Sequence, residues 1–340
     1  MLVNDFDYSL PPELIAQHPV EPRDHSRLLV LNRGLKSISD RNFFELPSLL
    51  SPGDLLVFND TKVIPARLYA LKEGGSARIE VFLLKQLSGL TWECLVRPGK
   101  RVKPGARLLF EAGVNGKVLE TTAAGGRVIE FLGRFDFTQW LSRVGQTPLP
   151  PYITETLADP DRYQTVYAQV EGSVAAPTAG LHFTEELLKE LTGAGIKTGF
   201  LTLHVGLGTF RPVQAERVED HVMHSEFFTI PESLVRQIEA TKKAGNRVIA
   251  VGTTVVRVLE SQADIEGRLI NGSGETAIFI YPGYQFKVVD SLITNFHLPR
   301  STLLMLVSAF AGREFILESY AHAVGKNYRF FSFGDAMLIL

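Results

Sequence analysis

Between Asp54 and Asn59 the chain reads Asp-Leu-Leu-Val-Phe-Asn, apolar on both faces of an extended segment. Such a run belongs inside a sheet covered on both sides. Residues 26–32 predict another strand, and 10–15 a short helix with proline in its first turn. From about Ala66 the texture changes. Residues 66–70, 77–84, 91–96, 107–110, 116–122 and 126–131 predict six short strands, with Gly74-Gly75, Gly99, Gly105, Gly113 and Gly125-Gly126 at the turns. That spacing is the pattern of a small antiparallel barrel or sandwich. Residues 135–144 predict a helix, and Pro148, Pro150 and Pro151 a stiff linker.

Beyond the linker, longer helices and strands alternate. Thr184 reads as the N-cap of a helix with Glu185 and Glu186 in its first turn and Leu187, Leu188 and Leu191 on its buried face. Strands are expected at 197–205, 225–230, 247–251, 277–281, 291–296 and 328–333. Helices are expected at 232–244, from Gly252-Thr253-Thr254 through Ser261, at 302–310 and at 313–324. Alternation of this kind implies a mostly parallel or mixed sheet with helices outside. The simplest organisation is one α/β domain, residues 1–60 and 150–340, interrupted by a β domain at 61–149.

Composition narrows the function classes. A chain of 340 residues with 45% hydrophobic content is long enough for two cores. Its net charge of −2 excludes a generally basic nucleic-acid coat, so any RNA contact must come from a local patch. One such patch stands out: Arg97, Lys100, Arg101, Lys103 and Arg107 share eleven residues with no acid. A solvated loop and a phosphate contact both fit it. Cys94 is the single cysteine, which leaves no internal disulfide and no thiol metal site and fits a reducing cytosol. The N-terminus has no basic segment followed by an apolar run, and no apolar stretch reaches the ~18 residues of a membrane span. A cytoplasmic protein with no membrane partner is the expectation, with a monomer as its state.

Candidate chemistry collects at the ends of strands. His204 ends one before Gly206-Leu207-Gly208-Thr209-Phe210-Arg211. Gly252-Thr253-Thr254 opens a helix that carries Arg257 and Glu260, and Thr294-Asn295-Phe296-His297 precedes Pro299-Arg300-Ser301. The loop from Glu171 to His182 packs Ser173, Ala175, Ala176, Thr178, Ala179 and Gly180 around Pro177. Taken alone it fits a tight connection between buried elements; small residues leading to a helix N-terminus also suit a polar ligand. Ligands of α/β folds bind at the carboxyl edge of the sheet. Each histidine taken alone is more often structural than catalytic. His221 and His224 could share a helical face, but no companion acid completes a metalloprotease pattern, so no metal is expected. Gly206-Leu207-Gly208 lacks the third glycine and the helix of a dinucleotide fingerprint. Gly172-Ser173 lacks the spacing of a nucleophile elbow.

Residues 170–184, Val-Glu-Gly-Ser-Val-Ala-Ala-Pro-Thr-Ala-Gly-Leu-His-Phe-Thr, resemble the signature of the S-adenosylmethionine:tRNA ribosyltransferase-isomerase family of queuosine biosynthesis. So do Asp5-Phe6-Asp7-Tyr8, residues 53–67, Thr202 to Phe210, His224-Ser225-Glu226, Val251 to Arg257 and Thr294 to Leu303, in family order. The resemblance implies a barrel-like mixed α/β domain with an inserted small antiparallel β-barrel. It implies transfer of the ribosyl part of S-adenosylmethionine to preQ1, the aminomethyl-deazaguanine at the wobble position of tRNA. Isomerisation to an epoxycyclopentane would give epoxyqueuosine and release adenine and methionine. S-adenosylmethionine would then be a co-substrate, with no prosthetic group.

That chemistry needs a placed base and a group tunable near neutral pH, for which histidine is suited. His204 and His182 are the first candidates for proton transfer, and His297 the third. Glu171 could hold ribose hydroxyls, with Ser173 and Thr178 beside it. Arg257 or Arg300 could fork onto the methionine carboxylate, and the Thr253-Thr254 turn is a second carboxylate candidate. Arg97, Lys100, Arg101 and Lys103 would clamp the tRNA. An S-adenosylmethionine-dependent RNA methyltransferase and a non-catalytic RNA-binding module are the alternatives.

Overall fold

A computed structural model describes residues 1–123, 125–206 and 213–340. The chain divides into two compact units: Met1–Lys62, Pro150–Val170 and Ala176–Leu340 form one, Val63–Leu149 with Glu171–Ala175 the other.

The first unit is built on a nine-stranded mixed sheet. Its order is Gly272–Thr276, Glu226–Ile230, Lys197–Leu203, Leu55–Asn59, Val248–Val251, Ser291–Asn295, Ala336–Ile339, Arg27–Asn32 and Ser37–Asn42. The four strands from Lys197–Leu203 to Ser291–Asn295 are mutually parallel. Leu55–Asn59 lies inside this parallel group, and all five of its residues are buried, as its two-faced apolar pattern requires. Asp54 ties its start to the neighbouring strand: the carboxylate accepts from the Ser51 and Arg247 amides and from the Arg247 guanidinium. On one face Phe43, Phe58, Phe183, Leu187, Leu191 and Ile249 share a core. Thr184 caps the helix Glu185–Gly193 by accepting from the Leu187 amide at 3.1 Å.

The second unit is a closed barrel. Its strands run Arg127–Leu132, Thr91–Arg97, Arg78–Ser88, Arg67–Lys72, Arg107–Phe110 and Asn115–Thr121 before closing. Every pairing is antiparallel. Alternate residues, among them Ile79, Val81, Leu83, Cys94, Leu108 and Val118, fill it. All six strands fall where the short-strand pattern puts them.

Two expected strands are absent. Residues 277–281 are not a strand; the pairing segment is Gly272–Thr276, just before them. Side chains meet the backbone needs of the apolar run instead. The Ile278 amide donates to Thr276 Oγ1, and its carbonyl accepts from Arg257 Nε. Residues 328–333 likewise form no strand; Phe330 makes only an isolated parallel bridge to Ile15 before the chain turns, and the strand is Ala336–Ile339. Here Asp335 accepts from the Arg27 and Arg329 amides, while Phe330 packs among Tyr8, Phe296 and Tyr320. Aromatic content marks packing there rather than pairing. The antiparallel edge strand Ser37–Asn42, polar and largely exposed, carries no alternating pattern that would reveal it.

Candidate active site

Four adjacent parallel strands end at one edge of the sheet, so the segments that follow them gather there. These segments hold Asp60, His204, Gly252 and His297. Leu207 to Pro212, including the Gly208-Thr209-Phe210-Arg211 run, lie outside the described residues.

A cavity of about 50 Å³ opens among Thr178, Thr253, Thr254, Thr294, Asn295 and His297, with Ala176, Ala179, Val205, Leu298 and Leu303 as apolar wall. None of its described lining residues carries an acidic or basic side chain other than His297. Gly252 caps the helix Thr253–Ser261 at φ 96°, a conformation that suits glycine, and offers no capping side chain. Thr254 is 7% exposed, and its Oγ1 has no hydrogen-bond partner among the described residues.

Asn295 is the hub of this edge. Its Nδ2 lies 3.0 Å from His182 Nε2 and donates to the Phe331 carbonyl at 3.2 Å. Its Oδ1 accepts from Thr178 Oγ1 at 2.9 Å. The Phe331 carbonyl can only accept, which fixes the amide orientation and makes His182 Nε2 an acceptor. Nδ1 then carries the proton and donates to Ser26 Oγ at 2.7 Å. The ring stacks on Phe43 with centroids 5.0 Å apart. Burial, with Arg329 and Arg23 adding to it, pushes the His182 pKa down to about 3. His297 is similar: its Nε2 lies 2.9 Å from Thr294 Oγ1, and burial drives its pKa down to about 3. Both imidazoles are neutral at pH 7. Neither geometry favours the proton-transfer role expected of His182 and His297. Their hydrogen bonds go to Asn295 and Thr294.

His204 differs. It is only half-buried, stacked on Phe227 at 5.9 Å, with Nδ1 2.8 Å from Thr61 Oγ1. The Thr61 hydroxyl also lies 3.5 Å from the Val170 carbonyl; in the tautomer in which its proton goes to that carbonyl, Nδ1 donates to Thr61 and Nε2 carries the lone pair. No described residue partners Nε2. Burial lowers the His204 pKa, and the Asp60 carboxylate opposes that shift. Asp60, whose pKa is raised by burial, accepts from Thr202 Oγ1 at 2.6 Å.

The remaining expected residues scatter. Glu171 is exposed and Ser173 is buried, its Oγ donating to the Ala175 carbonyl at 2.7 Å. Neither lines the cavity. Arg257 is buried, paired with Glu226 and donating to the Ile278 carbonyl. Glu226 also accepts from the Gly206 amide at 2.9 Å. A guanidinium held this way is not placed to fork onto a ligand carboxylate in the cavity. Arg300 is exposed, 3.7 Å from Asp7. Arg97, Lys100, Arg101 and Lys103 are all exposed on the barrel unit. Buried Arg127 pins their loop by donating to the carbonyls of Val102, Gly125, Gly126 and Gly99. His221 and His224 lie in irregular backbone beyond the turn Val218–Asp220, not on one helical face. Asp60 and Thr61 lie within the family-like stretch 53–67 without standing out in it, and Ser26 carries no signal beyond adjacency to a buried strand.

Comparison with known proteins places the chain in a lineage. The model of the family described as queuosine biosynthesis protein matches residues 3–339. The chain belongs to that family. It is 59% identical over 344 residues to a Moorella thermoacetica protein named S-adenosylmethionine:tRNA ribosyltransferase-isomerase, covering 100% of both chains. A protein of the same name from Acetivibrio thermocellus is 57% identical over 340 residues, again covering 100% of both. A crystal structure of the Thermotoga maritima S-adenosylmethionine tRNA ribosyltransferase aligns with a TM-score of 0.58 at 44% identity, covering 99% of this chain and 100% of that one. The chain is thus homologous, end to end, to enzymes of that name. No described helix is long and apolar enough to cross a membrane.

Proposed function

We propose that this chain transfers the ribosyl part of S-adenosylmethionine to preQ1 at the wobble position of tRNA. It isomerises that group to an epoxycyclopentane, giving epoxyqueuosine and releasing adenine and methionine. S-adenosylmethionine is a co-substrate, and no prosthetic group takes part. The observation that carries this reading is the 59% identity spanning the full length of both chains. The geometry supports it. A sulfonium acidifies the neighbouring ribose C–H, and His204, whose pKa burial lowers and whose Nε2 has no partner among the described residues, is the group suited to take that proton in the tautomer protonated at Nδ1. His182 and His297 hold Asn295 and Thr294 in a hydrogen-bonded frame at the same sheet edge.

Purified protein incubated with S-adenosylmethionine and preQ1-containing tRNA, followed by mass spectrometry, tests the reading. Adenine, methionine and a ribosyl-derived mass gain on the tRNA should rise together. A methyl gain with S-adenosylhomocysteine would replace the reading by a methyltransferase. Bound but unaltered tRNA would replace it by a binding module.

The exposed cations Arg97, Lys100, Arg101 and Lys103 are proposed to meet tRNA phosphates, on a loop held in shape by Arg127. Reversing Lys100 and Arg101 to Glu should weaken tRNA affinity and flatten its salt dependence by roughly one unit of slope for each lost phosphate contact. Unchanged affinity and slope would remove the loop from the interface.

A further inference from the structure

The cavity beside Asn295 has a donor–acceptor pattern that selects a ligand. On one side is the N-terminus of Thr253–Ser261, where the amides meet no capping side chain and the helix dipole is positive. Beside them Thr254 Oγ1 is buried without a partner among the described residues, although a hydroxyl can both donate and accept. On another side Thr178 is fully committed as a donor. Its proton goes to Asn295 Oδ1, and that amide cannot turn, because its Nδ2 is held by His182 and by the Phe331 carbonyl. Thr178 therefore offers the cavity only lone pairs. The cavity thus provides donors at one wall and an acceptor at another.

Charge and size narrow the choice. Among the described residues, no acidic or basic side chain other than neutral His297 lines it. An isolated carboxylate or ammonium would be costly there, whereas a net-neutral pair of opposite charges meets both walls. Its volume of about 50 Å³ holds a few heavy atoms, on a scale where one water needs about 10–15 Å³, and is too small for a purine. The apolar wall of Ala179, Val205, Leu298 and Leu303 suits a methylene chain leading outward.

We propose that this cavity holds the α-amino acid end of S-adenosylmethionine, its carboxylate on the Thr253–Thr254 helix terminus and the Thr254 hydroxyl, its ammonium on Thr178 Oγ1. The assignment rests on the functional reading above and adds where the methionyl head sits.

Calorimetric titration with two ligands tests it: S-adenosylmethionine and 5′-methylthioadenosine, which lacks the amino acid end. Thr254→Val removes a hydroxyl that has no partner among the described residues, so the melting temperature should not fall. It should weaken S-adenosylmethionine binding about tenfold, the usual loss for a hydrogen bond to a charged group, and leave methylthioadenosine within about twofold. Thr254→Ser, which keeps the hydroxyl, should restore S-adenosylmethionine affinity. Equal weakening of both ligands, or of neither, overturns the placement while the functional reading stands. Wild-type protein that binds neither ligand overturns the functional reading, and the placement with it.

Discussion

His182 and His204 stand at the same edge of one sheet, yet their surroundings give them opposite capacities. Around Asn295, His182 is sealed: both ring nitrogens are bonded, Phe43 covers one face, and no carboxylate offsets the burial. Desolvation disfavours the imidazolium, and positive Arg329 and Arg23 disfavour it further. At the end of Lys197–Leu203 the burial is partial, and Asp60 works against the downward shift. One nitrogen of His204 is anchored on Thr61 while the other has no described partner. Imidazoles with the same intrinsic chemistry therefore divide between one whose two nitrogens are both committed and one with a nitrogen that no described residue bonds. What separates them is the number of nitrogens already bonded and the presence of a carboxylate, not their place on the edge.

The sharpest way to break this comparison is at His204. Replacing it with alanine removes the half-buried histidine of the edge, whose Nε2 has no described partner, and should lower the single-turnover rate by about 10²–10⁴-fold, the usual range for a general acid–base group. The melting temperature should change little, since the ring is only half-buried. A rate within a few-fold of wild type in a folded variant would show that the proton passes elsewhere.

Much of this contrast could not be seen in the sequence. The four parallel strand ends were legible, because runs such as Leu55–Asn59 are apolar on both faces and only a covered parallel strand uses that pattern. The barrel strands were legible because glycines punctuate them at regular spacing. Histidine positions were legible, but their roles were not. Ser26 lies 156 residues from His182, and Asn295 lies 113 away. Which nitrogen is free depends on those distant partners, and no local pattern encodes them. Arg257 shows the same limit: its place in the first turns of a helix after Gly252 suggested a ligand fork, and only tertiary packing reveals Glu226 already on it. Residues 277–281 misled because an apolar run has two ways to bury itself, and here side chains rather than a ladder partner its backbone.

The comparison can be sharpened by pH, since the two environments must titrate stability differently. The folded-state pKa of His182 and of His297 is about 3, while an unfolded chain takes the ordinary value of 6.5. Above pH 6.5 both states are neutral and the contribution is constant. As pH falls below 6.5 the unfolded chain binds protons that the folded chain refuses, so stability is lost progressively until the pH nears 3. At pH 5, about 1.5 units below the unfolded value, each of these histidines should have cost about 2 kcal/mol relative to pH 7. Urea denaturation of wild type and His297→Gln at both pH values isolates the effect, because carboxylates titrate alike in the two proteins. The variant is expected to be less stable at pH 7, where Thr294 loses its imidazole partner, yet to lose about 2 kcal/mol less on acidification. His204→Gln should reduce the acid-induced loss by a smaller amount, since Asp60 holds that pKa nearer its ordinary value. Equal reductions in the two variants would mean that burial and a nearby carboxylate do not separate these histidines, and the division of roles between them would fail.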